Sequence, residues 1–296
     1  MKNIENKVAI IILLAALLTI TALSAVAEES TVPFAEPQTN ILTSCVLMSG
    51  TETDRDFVLN NTLQIENIGD IHFNLRVPES YDGTTPYALH IALPGWEGMY
   101  FQGIGEDVRW EYVPFESTEY VPDMIVASVQ YNERGNDAAN RVIALTEYLL
   151  ASYRIDPKRV YITGYSLGGV TLSNIVALRP DLFRRALFVS SQWDGDPIAL
   201  VEARIPLYLF TSAHDSYYGA EPARSAYQHI HDLYVSAGLP EEEISALLVL
   251  DVREDAWFDQ VMEASPERTS AMYATDYHGA GMLVAFDESV MTWVFQ

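Results

Sequence analysis

Between Val160 and Asn174 the chain reads VYITGYSLGGVTLSN, an apolar run of buried-strand type, a sharp turn, and then a helix of small residues. Gly164, Ser166 and Gly168 fall in the spacing Gly-x-Ser-x-Gly. No other short stretch restricts the fold so tightly. It demands a strand and a helix joined at one strained residue, and side chains two positions to either side would collide with that turn. The serine is thereby pushed out at the carboxyl edge of a sheet. Its reactivity depends on partners elsewhere in the chain.

The surrounding pattern is an alternation of strands and helices. FVLNNTLQI and IHFNLRVP alternate apolar and polar residues as half-buried antiparallel strands do, and YALHIALPG follows as a more uniformly apolar strand. MIVASVQ, Met124 to Gln130, is next. In NDAANRVIALTEYLLASY, Val142, Leu145, Leu149 and Leu150 share one helical face, with Asn136 or Asp137 placed to cap its start and Asp156-Pro157 breaking it. After the serine turn, LGGVTLSNIVALRPD is a helix stopped by Pro180. RALFVSS, IPLYLFTS and ALLVLDV are further strands, PARSAYQHIHDLYVSAG is a helix ending at Gly238, and ESVMTWVFQ is a closing helix. This order predicts an α/β fold with a mostly parallel central sheet, helices on both faces and antiparallel N-terminal strands. Gln192 to Ile205, between two strands, has room for one short helix and a turn, so no large cap domain is expected there and the cleft should be open. Residues 253–277 are the other long excursion, a candidate wall beside the base.

A serine hydroxyl needs a base within hydrogen-bond reach and a carboxylate to orient that base. Six histidines are available. His72 and His90 lie within strands upstream of the serine. His229 and His231, two apart on a helix, point in different directions and do not form a metal pair. His214 follows its strand too closely to face Ser166. His278, in ATDYHGAGM shortly before the last helix, remains as the base. Asp215, in LYLFTSAHDSYYG, falls just past the end of a buried strand and is the candidate acid. The chain order is Ser166, Asp215, His278.

That order, with IDPKRVYITGYSLGG around the serine, SSQWDGD after the next strand, SAHDSYYG around the acid and YHGAG…VMTWVF around the base, resembles the α/β-hydrolases. The group in view contains prolyl oligopeptidase-like and polyester-depolymerase-like serine esterases. The resemblance runs from about Asp56 to the end of the sequence. It implies the α/β-hydrolase fold and a Ser166–His278–Asp215 triad acting through an acyl-enzyme. The oxyanion hole would be made by the backbone amides of Leu167 and of Trp96. Similar enzymes carry His-Gly in the second of these turns, whereas here it reads LPGWEG, with Pro94 in place of the histidine. Tyr165, Trp193, Tyr217 and Tyr218 fall in segments next to catalytic ones and are candidates for the substrate pocket. Asp194 and Asp196 in WDGD read as solvated turn carboxylates rather than a calcium loop. No phosphate loop, zinc spacing or dinucleotide fingerprint occurs, so neither cofactor nor metal is expected.

Two bulk features bear on where such an enzyme works. Residues 1–27 open with Lys2 and Lys7, continue with an apolar core, and finish with Ala25 and Ala27 in export-peptidase spacing. They read as a signal peptide cleaved after Ala27, giving a secreted or periplasmic protein; the competing reading is an uncleaved anchor over Val8 to Ala27. Residues 28–50, with Pro33 and Pro37, read as a linker or arm, and 51–296 as the catalytic domain. The 296-residue chain carries 17 basic against 41 acidic residues, a net charge of −24, which repels nucleic acid and anionic lipid. The expected partner is a small or polymeric ester. Cys45 stands alone, so no internal disulfide forms. A peptide substrate is the alternative to an ester, disfavoured because no residues are left over for the propeller domain of the oligopeptidases; a non-catalytic binding module on a hydrolase fold is a further alternative, disfavoured by the intact nucleophile, acid and base.

Overall fold

The computed structural model describes residues 45–102, 112–264 and 277–296. The cleavage-site and anchor readings of residues 1–27, and most of residues 28–50, lie outside that range. So do residues 265–276 of the wall expected from residues 253–277.

The described strands form one sheet of ten, β1 (Cys45–Met48), β2 (Glu52–Asp54), β3 (Phe57–Ile65), β4 (Gly69–Arg76), β5 (Tyr87–Leu93), β6 (Met124–Gln130), β7 (Ile155–Tyr165), β8 (Arg185–Val189), β9 (Leu207–Ser212) and β10 (Leu248–Arg253). Their order is β1-β3-β4-β6-β5-β7-β8-β9-β10, with β2 beside β3. Pairings among β1 to β4, and of β4 with β6, are antiparallel; the rest, from β6 through β10, are parallel. Every residue of β5, β6 and β9 is buried, as parallel strands covered on both faces require, whereas β3 and β4 keep part of the alternation seen in their sequence.

Eight α-helices accompany the sheet among the described residues: α1 (Val113–Tyr120), α2 (Gly135–Ser152), α3 (Leu167–Leu178), α4 (Ile198–Ala203), α5 (Glu221–Ser236), α6 (Glu241–Leu247), α7 (Asp255–Ala264) and α8 (Glu288–Val294). The expected face of α2, Val142, Leu145, Leu149 and Leu150, is buried. A core on one side of the sheet gathers Tyr161, Leu187 and Phe210 with residues of the closing segment, from Ala280 to Phe295. Helix α8 opens at Asp287, whose carboxylate accepts from the backbone N–H groups of Ser289 and Val290. Among the described residues no helix is long and apolar enough to cross a membrane.

Three local expectations are corrected. Residues 45–48, assigned to an arm, pair antiparallel with β3, Cys45 opposite Ile65 and Met48 opposite Thr62. Helix α2 is capped at Arg134, and neither Asn136 nor Asp137 serves as its cap; no side chain caps it at all. ALLVLDV is a strand only from Leu248, its first residues completing α6. The stretch between β8 and β9 does hold a single helix, the six residues of α4.

His90, in the middle of β5, is buried completely between α1 and β7. Its Nδ1 lies 3.1 Å from Ser117 Oγ and its Nε2 lies 2.8 Å from Thr163 Oγ1. Ser117 Oγ spends its hydrogen on Pro114 O, so it accepts from Nδ1–H, and Nε2 accepts from Thr163. The neutral ring is thus satisfied, and burial pushes its pKa down to about 3. Because the folded value lies below the unfolded 6.5, the unfolded chain binds the extra proton between those limits. This contribution to stability is whole above pH 6.5 and shrinks as pH falls toward 3. Urea unfolding should therefore show a loss from this group of about 2 kcal/mol between neutral pH and pH ~4.5. His90→Gln should flatten that slope, and an unchanged slope would refute the account.

Candidate active site

Strand β5 is flanked by β6 on one side and β7 on the other, so the direction of winding reverses there. In open α/β sheets a crevice forms at such a point, outside the carboxyl ends of the strands. Trp96 lies just beyond β5, Arg134 beyond β6 and Ser166 beyond β7.

Ser166 has φ 52° and ψ −118°, a conformation that a side-chain-bearing residue adopts only under constraint. Its N–H donates to Val189 O at 2.9 Å, and its carbonyl accepts from Gly169 N at 2.9 Å and from Ser191 Oγ at 2.6 Å. The flanking glycines are needed for space. A Cβ on Gly164 would stand 2.5 Å from Gly168 O, and one on Gly168 would stand 2.1 Å from Leu93 O.

Asp215 follows β9, and His278 precedes a 3-10 helix, Gly279–Phe286. Gly281 in that helix lies so close to Ser190 that a Cβ would meet its Oγ at 2.2 Å, which accounts for glycine in the His278 loop. The three side chains form a continuous relay. Ser166 Oγ lies 2.9 Å from His278 Nε2, and His278 Nδ1 lies 2.9 Å from Asp215 Oδ2. The second carboxylate oxygen, Oδ1, accepts from the N–H groups of Tyr217 at 2.9 Å and Tyr218 at 2.8 Å. Burial opposes ionisation of Asp215. The His278 hydrogen bond, the nearby imidazole charge and the two amides outweigh it and hold the carboxyl below its ordinary range. Asp215 is therefore an anion that fixes Nδ1 as a donor and leaves Nε2 to accept from the serine.

A cavity of about 380 Å³ opens over the serine, lined by Trp96, Arg134, Ser166, Leu167, Tyr217, Tyr218 and His278. Leu167 and Trp96, the two expected oxyanion donors, thus lie on the wall that Ser166 shares. Tyr217 and Tyr218 lie there as expected. Tyr165 and Trp193 do not line it. Tyr165 is buried with its ring 5.3 Å from the imidazole, supporting His278. Trp193 turns toward Phe188 and donates Nε1–H to Gly195 O at 2.8 Å, stapling its own loop. Asp194 and Asp196 are turn carboxylates: Asp194 accepts from Gln192, and Asp196 from the N–H of Ile198 at the start of α4. Arg134 was not singled out by any spacing in the sequence; its only signal is a cation just past a parallel strand.

Of the other histidines, His90 is buried in β5 as described above and His229 is exposed on α5. His72 stacks on Tyr100 at 3.7 Å, His214 pairs with Asp255 at 2.9 Å, and His231 with Glu241 at 3.1 Å. No group of three or more potential metal ligands occurs among the described residues.

The profile of the prolyl oligopeptidase family matches residues 127–233, from β6 through the elbow and Asp215 into α5. An acetylxylan esterase from Coprinopsis cinerea is 25% identical over 84 residues, 28% of this chain and 21% of that protein. Among solved structures, a thermostable esterase superposes with a TM-score of 0.59 at 18% identity, covering 86% of this chain and 64% of its own. The chain has the α/β-hydrolase fold. A feruloyl esterase module from Clostridium thermocellum, complexed with sinapinate, has the same fold, with a TM-score of 0.52 at 13% identity over 90% of this chain and 95% of its own. The chain thus spans about a fifth of the length of the acetylxylan esterase and under two thirds of that of the thermostable esterase.

Proposed function

We propose that this α/β-hydrolase is a secreted serine esterase that cleaves carboxylic esters through Ser166, His278 and Asp215. The observation that carries the reading is the unbroken Ser166–His278–Asp215 hydrogen-bond relay beside the cavity. Ser166 Oγ attacks the ester carbonyl while its proton passes to His278 Nε2. The oxyanion of the tetrahedral intermediate accepts hydrogen bonds from the Leu167 and Trp96 amides. Collapse expels the alcohol, which takes the proton from His278, and leaves an acyl-serine. A water then gives a proton to Nε2, attacks the acyl carbon and releases the acid, restoring the serine. Asp215 stays ionised throughout and stabilises the imidazolium.

The esterase names among the similar proteins support an ester over an amide, and the oligopeptidase profile supports the second reading, a peptidase acting on short peptides. Parallel assays with p-nitrophenyl esters and aminoacyl-nitroanilides separate the two. Ester turnover with negligible anilide turnover is expected; the reverse would overturn the proposal. Neither a metal nor a cofactor enters these steps.

Export is the remaining part of the proposal. The mature protein is expected to begin at Glu28, read by N-terminal sequencing of the exported form, with intact mass finding no lipid on Cys45. A species retaining residues 1–27 in a membrane fraction would favour the anchor.

A further inference from the structure

We infer that Arg134 makes the cavity over Ser166 selective for anionic esters, ones carrying a carboxylate a short distance from the scissile bond. The inference rests on the ester reading above and deepens it.

The protein has 41 acidic residues against 17 basic ones, yet among the described residues lining this cavity there is an arginine and no carboxylate. Among the described residues, six other arginines lie against carboxylates: Arg55, Arg141, Arg159, Arg179, Arg204 and Arg253. Among the described residues Arg134 has no carboxylate within ion-pairing distance and no side-chain hydrogen bond. The acids nearest in sequence or chemistry are engaged elsewhere. Glu133 turns to Arg141 at 3.4 Å and accepts from the N–H of Asn132. Asp215 is enclosed by His278 and two amides. The guanidinium is exposed and stands at the rim with the aromatic faces of Trp96 and Tyr217, both well exposed.

An unpaired guanidinium in a partly enclosed site is a fork of donors shaped for a carboxylate. The rest of the molecule repels anions, so discrimination in their favour has to come from a contact inside the cleft. Such a contact, remote from the reacting carbon, holds ground state and transition state alike and is read mainly in KM.

Two matched substrate pairs test this, one for each side of the ester: 4-acetoxybenzoate with its methyl ester, and monomethyl adipate with dimethyl adipate. The readout is the ratio of kcat/KM for the anionic over the neutral member. Arg134→Met is expected to lower that ratio on the order of tenfold in at least one pair, through KM, and Arg134→Lys to restore part of it. Whichever pair responds says whether the anion sits on the acyl or the alcohol side. Binding of the same compounds to Ser166→Ala, with and without Arg134→Met, reads the contact without turnover. Ratios and affinities unmoved by Arg134→Met in both pairs overturn the inference. Arg134-dependent binding of the anions with no hydrolysis of any ester upholds the anion site and overturns the ester reading instead.

Discussion

Ser166→Ala and His278→Ala are each expected to lower kcat for ester hydrolysis by about 10⁴-fold or more, in a protein that still folds. The basis is the relay itself. With Oγ gone there is no acyl-enzyme, and with the imidazole gone nothing 2.9 Å from the serine takes its proton. The two losses should not add, since each disables the same unit, and the double variant should be no slower than the worse single one. Asp215→Asn should also be severe, on the order of 10⁴-fold, because an amide in place of Oδ2 no longer holds Nδ1–H as the donor. A fluorophosphonate should label the parent and leave Ser166→Ala unlabelled. A folded parent that resists the reagent would refute the assignment of the nucleophile.

Gly168→Ala is expected to damage both stability and catalysis. The new Cβ would stand 2.1 Å from Leu93 O and 2.8 Å from Pro94 O. Both are backbone atoms, so no rotamer change relieves the clash. The first turn of α3 must move away from the turn after β5, and these two segments carry Leu167 and Trp96. Loss of about 3 kcal/mol of stability is expected from the overpacking. A fall in kcat of about 100-fold is expected in whatever folds, as for losing one oxyanion donor. Gly219→Ala is the contrast. Its φ is +70° but its Cβ would meet nothing within 4 Å, so the cost should stay near ~1 kcal/mol with kcat retained. Thermal unfolding and single-turnover kinetics on the two variants check both numbers, and equal behaviour would refute the steric account.

The parts of the fold that were legible in the sequence are those fixed by local pattern. β6 is uniformly apolar and buried along its length, so its boundaries coincide with MIVASVQ. The spacing of Gly164, Ser166 and Gly168 is legible because each glycine answers a clash within five residues of it or with an adjoining strand. β1 was not legible: Val46, Leu47 and Met48 are all exposed, so no face alternates, and the strand exists through pairing with residues of β3, Cys45 with Ile65 through Met48 with Thr62. In the site, Asp215 could be found because strand ends converge at one edge of a parallel sheet, and His278 because the other five histidines were set aside by their positions. The direction in which a loop side chain turns carries no such period. Trp193 therefore packed back on Phe188, and Arg134, a single cation in YNERGND, gave no spacing to read.

The relay joins residues that lie far apart along the chain, with His278 arriving 112 positions after Ser166. Synthesis proceeds from the N-terminus, so the elbow can form well before its base has been made. Through that interval the serine has no proton acceptor and is an ordinary alcohol. On the proposed mechanism, hydrolytic power appears when the Gly279–Phe286 turn seats Gly281 against Ser190 and the closing helix docks on the sheet. Partly made chains, and chains cut short before His278, are then expected to be inert toward esters. The timing of reactivity would be set by the order of Ser166, Asp215 and His278 along the polypeptide.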